Sequence, residues 1–168
     1  YTPTAGYMGP DYFTIQTTDS NASETSTEQI VVFTVPDVTF TVTGTSGADA
    51  SLLGDASNNT LIRGLDGNDT IVGGALDNII EGGLGDDTYL FGRGDGIDTI
   101  IESRGSLDTL IFNRGISEDH LLVKVAGDNL IIALKEENTA WEALSDKVII
   151  TNWQDSNNSI NFIKLAND

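Results

Sequence analysis

The chain has 168 residues, 39% of them hydrophobic, with 26 Asp and Glu against 8 Lys and Arg, a formal net charge of -18 at pH 7. That length is enough for one or two domains with a buried core, and so large a negative charge argues against nucleic acid or an anionic membrane as partner. Cysteine is absent, which excludes a disulfide framework and cysteine-ligated zinc, and no apolar run approaches the ~18 residues that would suit membrane insertion.

Residues 1–43 read as β-strands. Tyr12 to Thr18, Gln29 to Val35 and Val38 to Thr43 are rich in Thr, Val, Ile and Phe, with apolar side chains alternating at Phe13 and Ile15 and at Val38, Phe40 and Val42. The polar stretch Asp19 to Thr27 supplies the hairpin loop. An isolated hairpin is marginal in water, so this segment is expected to pack on the rest of the chain or to recruit another copy or a flanking domain by β-strand addition. Tyr1 opens in strand-like sequence with no signal peptide before it, as expected of a piece of a longer polypeptide.

From Gly44 to Asp108 a glycine-rich turn followed by a short apolar strand recurs at a spacing near nine. The sixth residue of each turn is Asp or Asn: Asp49, Asn59, Asp69, Asn78, Asp87, Asp98 and Asp108. The side chain expected to point inward two residues later is apolar at Leu61, Ile71, Ile80, Tyr89, Ile100 and Leu110, with Ser51 the exception. Twelve carboxylates and only three arginines lie in this stretch, so the charge is concentrated in the repeats and a cation is the natural ligand.

Beyond the repeats, Leu121-Val123-Val125, Leu130-Ile132-Leu134 and Val148-Ile150 alternate as half-buried strands do, with Ala126 to Asn129 as the turn between the first two. Residues 139–145 read equally as a helical turn or a loop. His120 is the only histidine and has no nucleophile or base partner in any motif, H-E-x-x-H and G-x-S-x-G are both missing, and the chain is expected not to be an enzyme. Trp141 and Trp153 are read as packing residues.

The cleanest repeats, Gly64 to Val72 and Gly82 to Leu90, resemble G-G-x-G-x-D-x-U-x, the nonapeptide of haemolysin-type (RTX) calcium-binding proteins. The resemblance implies an all-β fold: a parallel β-roll over 44–110, a calcium-binding solenoid, flanked by N-terminal hairpin strands (1–43) and a C-terminal antiparallel β segment that caps it (111–168). It also implies that turns two repeats apart stack on one edge. Each calcium ion then takes the sixth-position side chains of two stacked turns and carbonyls from their first four positions. Asp69 and Asp87 are eighteen residues apart, two repeats without slip, and their ion would draw carbonyls from Gly64, Leu65, Asp66, Gly67, Gly82, Gly83, Leu84 and Gly85.

Other same-edge pairs depart from that register: Asp49 to Asp69 and Asn78 to Asp98 are twenty apart, Asn59 to Asn78 nineteen, and Asp87 to Asp108 twenty-one. With neutral Asn59 and Asn78 on it, and Ser57 and Leu76 where its turns should carry glycine, the second edge is expected to bind calcium poorly and the first well. A metal-free solenoid in which the same Asp and Asn only cap turns is the alternative. The opening Tyr1-x-Pro3-x-x-Gly6-Tyr7-x-Gly9-x-Asp11-x-Phe13 resembles the closing strands of immunoglobulin-like or cadherin-like repeats of giant bacterial adhesins. The stretch from Arg104 to Leu165 resembles the domain that follows calcium-binding repeats in haemolysin-like proteins. Together these imply an extracellular, secreted or surface-attached bacterial protein exported by type I secretion. Two rivals are the calcium-binding tail of a secreted enzyme and a strand-exchanging fibre subunit.

Overall fold

The computed structural model describes residues 11–18, 25–32, 37–102, 107–156 and 160–166, the first two segments as strand pairing alone. The first ten residues of the opening motif, most of the polar loop after Thr18 and the stretch Phe33 to Val35 therefore lie outside the described residues. Two compact units divide the chain at residues 37 and 38. The first holds β1 (Asp11–Thr18) and β2 (Thr25–Val32), an antiparallel pair with Asp11 opposite Val32 and Thr18 opposite Thr25.

The second unit is a β-solenoid. One wall, ordered along the stack, consists of β4 (Leu52–Leu53), β6 (Thr70–Val72), β8 (Thr88–Phe91), β10 (Thr109–Phe112) and β14 (Phe162–Leu165), all parallel. The other runs β3 (Phe40–Thr43), β5 (Thr60–Asp66), β7 (Ile79–Leu84) and β9 (Ile97–Ile101) in parallel. It then continues through β13 (Lys147–Ile150), parallel to β9, to the antiparallel strands β12 (Asn129–Leu134) and β11 (Leu121–Ala126). β3, grouped with the hairpin strands by sequence, is thus a strand of the solenoid wall. Strands from the C-terminal segment extend both walls.

Each coil sends side chains inward from its strands, and the ladder register stacks these in files; β8 and β10 add a second file, Phe91 and Phe112, whose rings meet edge to face. Leu52, Ile71, Tyr89 and Leu110 line one wall; Ile62, Ile80, Ile100 and Ile150 line the other, and all eight are buried. Burying one such side chain is worth about 1.5–3 kcal/mol before entropy is counted, so a single coil cannot stand alone and the fold exists only as a stack. Two inward positions differ from the sequence expectation. Leu52 and Ile62 point inward rather than Ser51 and Leu61, because a one-residue bulge follows Asp49 and the turn before β5 ends one residue later than its glycine spacing implies.

The C-terminal strands alternate less than expected. β12 is buried on both faces over its last four residues and β13 throughout, whereas β11 is mostly exposed. The outer face is covered by the chain that includes the short 3-10 turn Trp141–Ala143: Lys124 Nζ lies 5.5 Å from the Trp141 ring centre, and Lys147 Nζ donates to the Glu142 carbonyl at 3.3 Å. The undecided stretch 139–145 therefore contains one helical turn, Trp141–Ala143, with loop on either side. Trp153 packs against the core, as read.

Candidate metal centre

Turns stack on two edges of the solenoid, and their chemistry differs. On the first edge the sixth-position carboxylates form a ladder in which each backbone N–H donates to the side chain one turn on. Asp49 N–H donates to Asp69 Oδ1 at 2.8 Å, Asp69 N–H to Asp87 Oδ1 at 2.9 Å, and Asp87 N–H to Asp108 Oδ1 at 2.8 Å. The last rung is Asp108 N–H to Asn161 Oδ1 at 2.9 Å. Asn161 therefore closes the file from fifty-three residues downstream, a spacing at which no nonapeptide rhythm could reveal it.

The ladder uses Oδ1 of Asp69, Asp87 and Asp108 and does not use their second oxygens. Asp69 Oδ2 and Asp87 Oδ2 are buried without a hydrogen-bond partner, although both residues are only 1% exposed. Leaving an ionised oxygen dry and unpaired costs several kcal/mol, so such atoms call for a proton or a cation. Asp49 Oδ2 differs because Thr45, in its own turn, donates to it from N at 2.7 Å and from Oγ1 at 3.2 Å.

The glycines show what faces the orphan oxygens. A Cβ on Gly64 would lie 2.5 Å from Asp69 Oδ2 and 2.3 Å from the Gly82 carbonyl oxygen; one on Gly44 would lie 2.6 Å from Asp49 Oδ2 and 2.8 Å from the Gly64 carbonyl oxygen. Carboxylate and carbonyl oxygens therefore converge on the space that the missing side chains leave. Gly67, Gly83 and Gly85 have positive φ of 119°, 110° and 130° and let successive turns approach closely. Of the other expected carbonyl donors, Leu84 accepts the Gly67 amide at 2.7 Å, Leu65 is paired with Gly83 in the β5–β7 ladder, and Asp66 carries an exposed side chain beside it.

The second edge joins the Asn78 amide to the Asp98 carboxylate. Asn78 N–H donates to Asp98 Oδ1 at 3.0 Å, and Thr60 N–H to Asn78 Oδ1 at 2.9 Å. Thr60, not Asn59, is therefore the register partner of Asn78 and Asp98; Asn59 falls one place early and accepts the Asp77 amide at 3.3 Å. The Asn78 side-chain NH₂ turns into its own turn and donates to the carbonyls of Gly74, Ala75 and Leu76 at 3.5, 3.4 and 3.1 Å, and to Asp98 Oδ1 at 3.1 Å. That group occupies electrostatically the place a cation would take. Asp98 Oδ2 lies against Gly73.

Burial pushes these carboxyls upward from the usual carboxylate range: Asp69 and Asp108 are raised, Asp98 is raised well above it, and Asp87 is pushed up to about 6, with Asp69, Asp108 and Asp86 adding to its shift by repulsion. Sequence reading missed one acidic member. Glu102, 3% exposed, offers an oxygen that lies with those of Asp87 and Asp108 within a 4.8 Å group.

No family model matches the sequence, and no curated protein matches it. Solved structures show a distant likeness, among them two from bacterial proteins. The AlgE6R3 subunit of the Azotobacter vinelandii mannuronan C5-epimerase covers 76% of this chain and 84% of its own, at 19% identity and a TM-score of 0.40. The extracellular lipase LipA from Serratia marcescens covers 92% of this chain at the same identity and TM-score, and the match spans only 26% of the lipase.

The remaining polar features are ordinary. His120 ends a 3-10 turn, Glu118–His120, with its Nδ1 3.1 Å from the Ser117 amide and 3.0 Å from Ser117 Oγ, a capping arrangement. Among the described residues no helix is long and apolar enough to cross a membrane.

Proposed function

We propose that the first edge binds calcium between its stacked turns, and that the chain is a non-catalytic structural module of a large secreted or surface-attached bacterial protein of the RTX type, ordering on calcium outside the cell and supporting adhesion. The observation that carries this reading is the pair of buried, unpaired oxygens on Asp69 and Asp87. Asp69 Oδ2 faces the Gly82 carbonyl across Gly64. Donors that are all oxygen, part carboxylate and part carbonyl, suit a hard cation, and an irregular backbone set suits calcium better than magnesium, which demands a near-ideal octahedron and keeps its waters. Extracellular calcium modules bind at ~10⁻⁴–10⁻³ M, so the solenoid would be soft in a low-calcium cytosol, which suits export in an unfolded state.

Calorimetric titration with calcium at two pH values tests the reading. Saturable binding is expected at pH 7.5, and the affinity should fall about tenfold by pH 5, because the Asp87 proton must then be displaced. The metal-free stability should run the opposite way. A carboxyl raised to about 6 in the folded chain stabilises it fully below its unfolded pKa of about 3.9, and that contribution is lost as pH rises through about 6. Absence of calcium binding at pH 7.5 would refute the proposal.

Partner recruitment by strand addition is proposed for the β1–β2 pair, which is a two-stranded sheet of its own among the described residues. Light scattering of the full chain beside one starting at Val38, which keeps β3, is expected to show association only when the hairpin is present. Monomers in both cases at high concentration would rule strand exchange out.

A further inference from the structure

The β7–β9 register places Glu102 in the next coil at the position of Gly82, as Gly82 stands to Gly64 and Gly64 to Gly44. Three turns on this edge therefore begin with glycine and the fourth begins with a buried glutamate. Its side chain does not leave the stack: a Cβ added at Gly82 would meet the Tyr89 hydroxyl first, then Asp87 Oδ2 at 2.5 Å and Glu102 Oε1 at 3.0 Å, so these three oxygens border one space. Asp87 Oδ2 is the orphan of that space, buried and without a hydrogen-bond partner. Asp108, from the following turn, brings a third carboxylate into the same 4.8 Å group, and the Tyr89 hydroxyl, on a core side chain, hydrogen-bonds to Glu102.

From this geometry, and resting on the calcium reading of the edge, we infer that Asp87, Glu102 and Asp108 form a distinct divalent-cation site at the C-terminal end of the stack, with Glu102 supplying a carboxylate where the earlier coils supply glycine. The two preceding inter-turn spaces have two carboxylates each, Asp49 with Asp69 and Asp69 with Asp87. The last has three. Carboxylate count is the main lever by which a calcium site sets its affinity, so this site is the tightest on the edge and fills first as calcium rises. The Tyr89 hydroxyl reaches the same space and holds the Glu102 oxygen, which limits the ordering that the ion itself must impose.

Calorimetric calcium titration of the full chain, at constant pH and ionic strength, tests this with Glu102→Gln and Glu102→Gly. The first removes the charge and nearly keeps the shape. The second restores the residue that the three earlier coils carry at this position, and so folds as they do if glutamine does not. Wild type is expected to show one tight class of site above weaker ones; both variants should weaken that class by tenfold or more and retain the weaker ones. A tight class that survives both substitutions overturns the role of Glu102 and leaves the calcium reading intact. A wild-type chain that binds no calcium overturns both.

Discussion

Removing calcium with a chelator is expected to lower the melting temperature of the solenoid by roughly 10–30 °C and to reduce its β signal in circular dichroism. At free calcium about 100 times the dissociation constant, each independent site contributes ~2.7 kcal/mol of stability, and two such sites ~5 kcal/mol. That is comparable with the whole net stability of an ordinary domain, about 5–15 kcal/mol, and a change of ~1 kcal/mol moves the melting point of a domain this size by a few degrees. Repulsion acts in the same direction. Two ionised carboxylates ~5 Å apart at an effective dielectric of ~20 repel by about 3 kcal/mol, and Asp87, Glu102 and Asp108 present such a group. The metal-free edge must then take up protons, which the raised Asp87 already favours, or loosen. A spectrum and a melting temperature that EDTA leaves unchanged would sink the idea.

The second large effect separates the two edges, through paired readouts of calcium affinity and metal-free stability. Asp69→Ala and Asp87→Ala should weaken calcium binding by at least tenfold, because each deletes an orphan oxygen beside a glycine gap. Asn78→Ala should leave affinity within a few-fold of wild type and instead destabilise the protein by about 2–3 kcal/mol even without calcium. Its Oδ1 accepts the amide of fully buried Thr60, which would be left without a partner, and the side-chain NH₂ bonds to its own turn and to Asp98 Oδ1 would be lost as well. Asn59→Ala should do little to either quantity. Titration calorimetry beside denaturant unfolding reads both, and equal losses of affinity on the two edges would show the second edge to be a metal site as well.

The difference between the edges was legible in the sequence as charge and as glycine spacing: the first carries aspartate in every turn, the second Asn59 and Asn78 before Asp98, with Ser57 and Leu76 where glycine is expected. Why asparagine suffices there is a matter of geometry. An NH₂ group can donate into the carbonyls of its turn and take over the electrostatic role of an ion, whereas a carboxylate in the same position can only accept.

By itself the sequence determined the all-β class, the parallel stack over 44–110 and the file of Asp49, Asp69, Asp87 and Asp108, because a nine-residue rhythm of glycine, acid and apolar residue has few other ways to bury its side chains. It also determined the turn between β11 and β12, where Gly127 takes a positive φ of 60°. Register within irregular coils was decided only in three dimensions. Thr60 displaced Asn59, and Leu52 and Ile62 displaced their neighbours, because the choice among adjacent residues is made by which one the ladder and the core accept, and one inserted residue flips every side chain after it. The ends of the stack were likewise beyond sequence periodicity. Glu102 breaks the glycine pattern that would have announced it, and Asn161 and β13 arrive from distant chain, since a solenoid's last coil can be completed by any strand whose backbone fits its open edge.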